Sequence, residues 1–84
     1  MKSKYQIISP NSKSEFAAYY KVRFEELRKP WGQPIGSEKD SIEYECTHRM
    51  LLLNDKCIGV ARLQYNNKIQ AQIRYMAIKQ KYQR

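Results

Sequence analysis

The sequence predicts an α+β domain of order β-α-β-β-β, one main helix followed by an antiparallel meander. Three observations carry this reading. A helix start signal at Ser12 precedes apolar residues at helical spacing. Three later segments alternate apolar and polar residues, and two Asn/Asp turns separate them. A single Pro/Gly loop divides the helix from the strands.

Lys4 to Ser9 reads as a short first strand through Tyr5, Ile7 and Ile8, closed by Pro10. Ser12 with Glu15 three residues on fits a capping box, in which each side chain satisfies the other's free backbone N–H. Phe16, Tyr20, Phe24 and Leu27 then give one apolar stripe. Pro30 stops the helix by biasing Lys29 away from helical angles. The loop from Pro30 to Ser41 holds Gly32, Pro34 and Gly36 and the sole tryptophan, Trp31. A second short helix is expected near residues 37–42. In Glu45 to Leu53, alternation puts Cys46, His48, Met50 and Leu52 on one face. After a turn at Asn54-Asp55-Lys56, Cys57, Gly59, Ala61, Leu63 and Tyr65 should share a face, opposite Ile58, Val60 and Arg62. Asn66-Asn67 makes the next turn. The last strand, Ile69 to Ile78, should point Ile69, Ala71, Ile73, Tyr75 and Ala77 inward, with its end from Tyr75 onward apolar on both faces and so covered on both. The helix covers only one face of this sheet, and the other still needs a partner.

Eighty-four residues make a single domain or part of one, and a chain this short buries only about 60% of its unfolded surface. No apolar run approaches the roughly 20 residues of a membrane span. The lysines at the N-terminus precede no apolar core of a secretory signal, so the cytoplasm is the default compartment. Cys46 and Cys57 would lie roughly 26 Å apart on neighbouring strands at about 3.3 Å per residue. A disulfide needs Cα atoms within about 7 Å, so free thiols are expected. With His48 they offer no zinc-site spacing. The net charge is +8, and Arg62, Lys68, Arg74, Lys79, Lys81 and Arg84 face no acid from Cys57 onward. A half-chain of one sign favours an anionic partner, whether nucleic acid, a phosphorylated cofactor or an acidic surface.

Three segments in order resemble the N-terminal half of GNAT-family N-acetyltransferases. The first runs from Tyr20-Lys21-Val22-Arg23 through Glu26-Leu27-Arg28-Lys29-Pro30 to Gly32, Pro34, Glu38 and Asp40. The second is Ile58-Gly59-Val60-Ala61-Arg62-Leu63, and the third Ile73-Arg74-Tyr75-Met76-Ala77-Ile78 with Tyr82-Gln83. The resemblance implies an acyl-CoA-dependent transfer to an amine, with acetyl-CoA as cofactor. Met76, Ala77 and Ile78 would pair their backbone with its pantetheine arm. Gln83 and Arg84 would open the glycine-rich loop that aims N–H groups at the pyrophosphate. Trp31, Glu38 and Asp40 would line the amine pocket. The loop's glycines and the second half of the fold do not follow, so residues 1–84 form one partial domain, truncated and inactive alone. No carboxylate on the last strand offers a general base, and no catalytic residue is assigned.

Plainer roles stand beside these. His48 reads as a packed histidine, and Arg74 as either a solvated residue or a phosphate counter-charge. Trp31, Glu38 and Asp40 are equally a loop packed on the helix. Tyr65 and Tyr75 fall on the apolar register, which favours a core role over a nucleic-acid stacking surface. The alternative to an enzyme is a half-domain acting as an interaction module, in which a second copy or a complementing chain covers the open sheet. Nucleic-acid binding through the basic half is the weakest of the three.

Overall fold

The computed structural model describes residues 4–65 and 71–83. The expected Asn66-Asn67 turn, Lys68, Ile69 and Arg84 lie outside the described residues, as do the side chains of Tyr65, Ala71 and Arg74.

The order is β1 (Tyr5–Ile8), α1 (Lys13–Leu27), a 3-10 turn at Lys29–Trp31, another at Glu43–Glu45, β2 (Thr47–Leu53), β3 (Lys56–Tyr65), β4 (Ala71–Ile78) and a final 3-10 turn at Gln80–Tyr82. The expected α+β plan is present. The strands form one four-stranded antiparallel sheet in sequence order, with β1 and β4 at its edges. The short helical turn expected near residues 37–42 lies further along, at Glu43–Glu45.

Helix α1 begins as its sequence dictates. Ser12 is the N-cap; its hydroxyl accepts from Glu15 N–H at 3.1 Å, and the Glu15 carboxylate accepts from the Ser12 and Asn11 amides at 3.2 and 2.9 Å. Those backbone N–H groups hold the Glu15 carboxyl below its usual pKa. The buried face differs from the expected stripe. Tyr19, Val22 and Arg23 are buried, whereas Phe16, Tyr20, Phe24 and Leu27 are only half-buried. The helix is rolled so that an arginine enters the interior, a rotation that apolar spacing cannot foresee.

The β2–β3 hairpin turns on Asn54 and Asp55, with φ of 50° and 70°, and Leu53 pairs with Lys56 across it. Both central residues in the left-handed region match the right-handed twist of the strands.

Two irregularities then reset the faces. On β3, Leu52 pairs with Cys57 and Leu51 with Gly59, leaving Ile58 as an extra residue. Such a bulge shifts the two-residue alternation by one. Cys57, Val60 and Arg62 therefore all turn toward α1, which corrects the expected grouping of Cys57 with Gly59, Ala61 and Leu63. On β4, Val60 pairs with Ala77 and Arg62 with Arg74, so Tyr75 and Met76 together oppose Ala61. Ala77 packs on the core while Ile73 lies exposed, so the expected shared face of Ile73 and Ala77 is split by this second bulge.

The core between helix and sheet is Tyr19, Val22, Met50, Cys57 and Val60, ringed by Ile8, Phe16, Leu52 and Ala77. The opposite sheet face is open. Ile7 is 73% and Met76 64% exposed there, so the end of β4 is not covered on both sides as its composition suggested. Gly59 forms part of the floor of a groove of about 190 Å³ on this face, walled by Ile7, Leu51, Met76 and Ile78. A Cβ at Gly59 would meet the Ala77 carbonyl, Ile78 and Leu51 at 3.3 Å each. Among the described residues no helix is long and apolar enough to cross a membrane.

Ser12→Ala should lower stability by about 1 kcal/mol through loss of the cap. A shift in denaturant midpoint without a change in slope is the expected readout.

Candidate functional site

Among the described residues two arginines lie inside, Arg23 from α1 and Arg62 from β3, at 0% and 1% exposure. They meet at one carboxylate. Glu43 Oε2 accepts from Arg23 Nη1 at 2.8 Å, from Arg62 Nη1 at 3.0 Å and from the Asp40 amide at 2.9 Å. Arg23 also donates to the Glu38 carbonyl at 2.9 Å and to the Tyr19 hydroxyl at 2.8 Å. Arg62 donates to Asp40 at 2.9 Å and to the Gln64 side chain at 3.0 Å. Buried charges persist only when paired and hydrogen-bonded, and this network supplies both conditions. Nε of each arginine still lacks an acceptor.

Both guanidinium groups also stand over one ring. The centroid of Tyr75 is 4.7 Å from Arg23 Cζ and 4.5 Å from Arg62 Cζ. Tyr75 has φ of 53°, a left-handed conformation in the two-for-one bulge of β4. That backbone costs a side chain of this size about 1–2 kcal/mol. A desolvated cation over a ring contributes up to about 2 kcal/mol, so two such contacts suffice to hold it.

His48 continues the network. Its Nε2 lies 2.8 Å from the Glu43 carbonyl, which only accepts, so Nε2 carries a proton. Nδ1 lies 2.8 Å from the Tyr19 hydroxyl, which donates to the Ala61 carbonyl at 3.1 Å. The expected packed role for His48 matches this placement, edge-on to Phe16 and Tyr19.

The network sets the acidities around it. Burial, reinforced by the Glu43 charge, pushes Tyr20 up to about 12, and burial also raises Tyr19. The hydrogen bond from Arg62 holds the Asp40 carboxyl below its usual value. Burial alone would weaken the proton on Arg62, but Asp40 and Glu43 outweigh it and its pKa rises. Burial raises both thiols, Cys46 and Cys57, which are free and remain protonated rather than nucleophilic.

The residues expected to line an amine pocket are not gathered into one. Glu38 is buried, its carboxylate accepting from the Gly36 amide at 2.8 Å, and Asp40 is taken up by Arg62. Trp31 stands 78% exposed on the 3-10 turn after α1. A cleft of about 520 Å³ opens instead beside Phe16, Tyr20, Glu43, Cys46, His48 and Arg49.

Met76, Ala77 and Ile78 lie on the open edge strand β4. Lys79 N–H donates to the Ile58 carbonyl at 2.7 Å, so alternation along the strand turns the polar groups of Ile78 and Met76 outward. The Gln83 amide folds back and donates to the outward Ile78 carbonyl at 2.6 Å.

Sequence reasoning missed Arg23, Glu43 and Tyr19 and counted Arg62 in the basic block that favours an anionic partner. The signal was present: Arg62 continues the register of Val60, and Arg23 lies one helical turn after Tyr19. No protein-family model matches the chain.

Glu43→Gln should leave two buried arginines short of a counter-charge and cost about 3 kcal/mol in denaturant unfolding. The pH dependence follows from Asp40. Its folded pKa lies below its unfolded value, so its contribution is present above about pH 4 and is lost as pH falls through the folded pKa. Its carboxylate is 36% exposed, which keeps the effect modest. Asp40→Asn should flatten the acid limb of a stability-pH profile there, and an unchanged limb would contradict the pairing.

Proposed function

We propose that this domain is a GNAT-like acyl-CoA-binding unit, the N-terminal part of an acetyl-CoA-dependent N-acetyltransferase. The observation that carries the reading is the open edge of β4. Beyond its bulge, the strand turns backbone groups of Met76 and Ile78 away from β3, with Gln83 on the Ile78 carbonyl, next to a basic segment containing Lys79 and Lys81. An extended ligand with amide groups adds to such an edge as a further strand would. The pantetheine arm of acetyl-CoA has that form, and its phosphates suit the nearby lysines.

On this reading the chain's own residues bind and orient. Met76 and Ile78 would pair with the arm, and Gln83 would release the Ile78 carbonyl as the arm arrives. The thioester carbon would then be attacked by an amine, forming an amide and releasing the thiol of coenzyme A. β4 carries no carboxylate, and among the described residues no side chain stands on its edge as a proton acceptor. The domain is therefore assigned binding, and the transfer step calls on groups beyond those described. Acetyl-CoA titration should shift the amide resonances of Met76 to Ile78, and no response at millimolar ligand would remove the chain as a cofactor binder.

The open sheet face favours a second reading, an interaction module closed by a second copy. Exposed Ile7, Ile73 and Met76 on one face support it. Nucleic-acid binding loses ground, because Arg62 is buried and neutralised by Asp40 and Glu43. Sedimentation equilibrium should show a dimer that Met76→Asp dissociates; a cooperatively folded monomer would count against the module.

A further inference from the structure

We propose that Tyr75 is a positioning residue: held by Arg23 and Arg62, it fixes the β4 bulge that decides which backbone groups face the open edge. The inference deepens the acyl-CoA reading, and the ligand part of it rests on that reading.

Tyr75 occupies a position where glycine is the default. It is the first residue of a two-for-one bulge, opposite Ala61 with Met76, and its φ is 53°. A bulky side chain keeps such a backbone only when its surroundings over-determine it, and such outliers gather at functional sites. The surroundings here are two cations. Arg23 Cζ and Arg62 Cζ lie 4.7 and 4.5 Å from the ring centroid, and neither can drift. Arg23 is tied to Tyr19, Glu38 and Glu43, and Arg62 to Asp40, Glu43 and Gln64. The ring is thus referenced to the helix, the connecting loop and β3 at once. With both Nε–H groups unpaired, the electron-rich ring is a compensating partner for the two buried cations.

The bulge has a defined consequence for the edge. Val60 pairs with Ala77, and Lys79 N–H reaches the Ile58 carbonyl. Met76 and Ile78 consequently direct their polar groups away from β3, where Gln83 already finds the Ile78 carbonyl. Remove the extra residue and the register slips by one. Met76 and Ile78 would then turn toward β3, and Ala77 would face the edge. The buried ion network thereby selects the hydrogen-bonding pattern offered to a ligand some residues away.

Three variants test this: Tyr75→Phe, which keeps the ring; Tyr75→Gly, which accepts positive φ without it; and Tyr75→Val, which resists positive φ. The first readout needs no ligand. Amide exchange should be fast at Met76 and Ile78 and slow at Ala77 in the wild type and in Tyr75→Phe. In Tyr75→Val the pattern should invert, and Val60 should no longer stand opposite Ala77. Tyr75→Gly, which has no steric reason to lose the fold at φ of 53°, should show the wild-type pattern with weakened protection at Ala77. A wild-type pattern with undiminished protection in both Tyr75→Val and Tyr75→Gly would overturn the positioning role. The second readout is acetyl-CoA affinity, expected to fall about tenfold or more in Tyr75→Val and to change less than about twofold in Tyr75→Phe. A wild type that shows the exchange pattern but ignores acetyl-CoA would overturn the ligand and leave the geometry supported. Equal acetyl-CoA affinity in the wild type and in an inverted Tyr75→Val would uphold the ligand and overturn the edge as its site.

Discussion

The rest of this structure depends on a single oxygen atom, Glu43 Oε2, which accepts from Arg23, Arg62 and the Asp40 backbone together. A small domain has little apolar burial with which to offset taking two guanidinium groups out of water. The chain meets that cost by converging acceptors from α1, the connecting loop and the 3-10 turn on one point. The loop from Gly36 to Glu43 is thereby structural: the Glu38 carbonyl and the Asp40 and Glu43 carboxylates are its acceptors for the two buried guanidinium groups. His48 and Tyr19 extend the same order to the Ala61 carbonyl on β3, so helix, loop and sheet share one polar framework.

From that framework the order passes to β4. The two cations hold Tyr75 in a left-handed bulge, and the bulge sets both the exposed apolar residues of the open face and the outward polar groups of the edge. An open edge next to a bare apolar face is a liability in a free monomer, because both invite pairing. A ligand strand on the edge and a further layer on the face would remove it. The acyl-CoA reading and the interaction-module reading each supply one of those covers, which is why both draw on the same region.

How much was legible depended on how local each signal is. The Ser12–Glu15 capping box is closed by residues three apart, and the Asn54-Asp55 turn by the φ preference of those two residues. Both stand where local chemistry put them. The faces of β3 and β4 did not follow from alternation, because Ile58 and Tyr75 each sit at a bulge that depends on the partner strand. The buried arginines were obscured for a related reason. In composition they count as surface charge, and only their acidic partners, some twenty positions away, make burial tolerable.

The amino-acid order alone was enough for the α+β plan, the helix start, the main hairpin turn and the segment that becomes an edge strand, since each rests on neighbouring residues. Tertiary packing was needed to settle which way α1 rolls, which residues of β3 and β4 turn inward, and that Glu38 and Asp40 take the Gly36 amide and Arg62 as partners. Those choices rest on desolvation: a guanidinium group can be buried only where several separate segments bring acceptors to it, and no local stretch of sequence records that meeting.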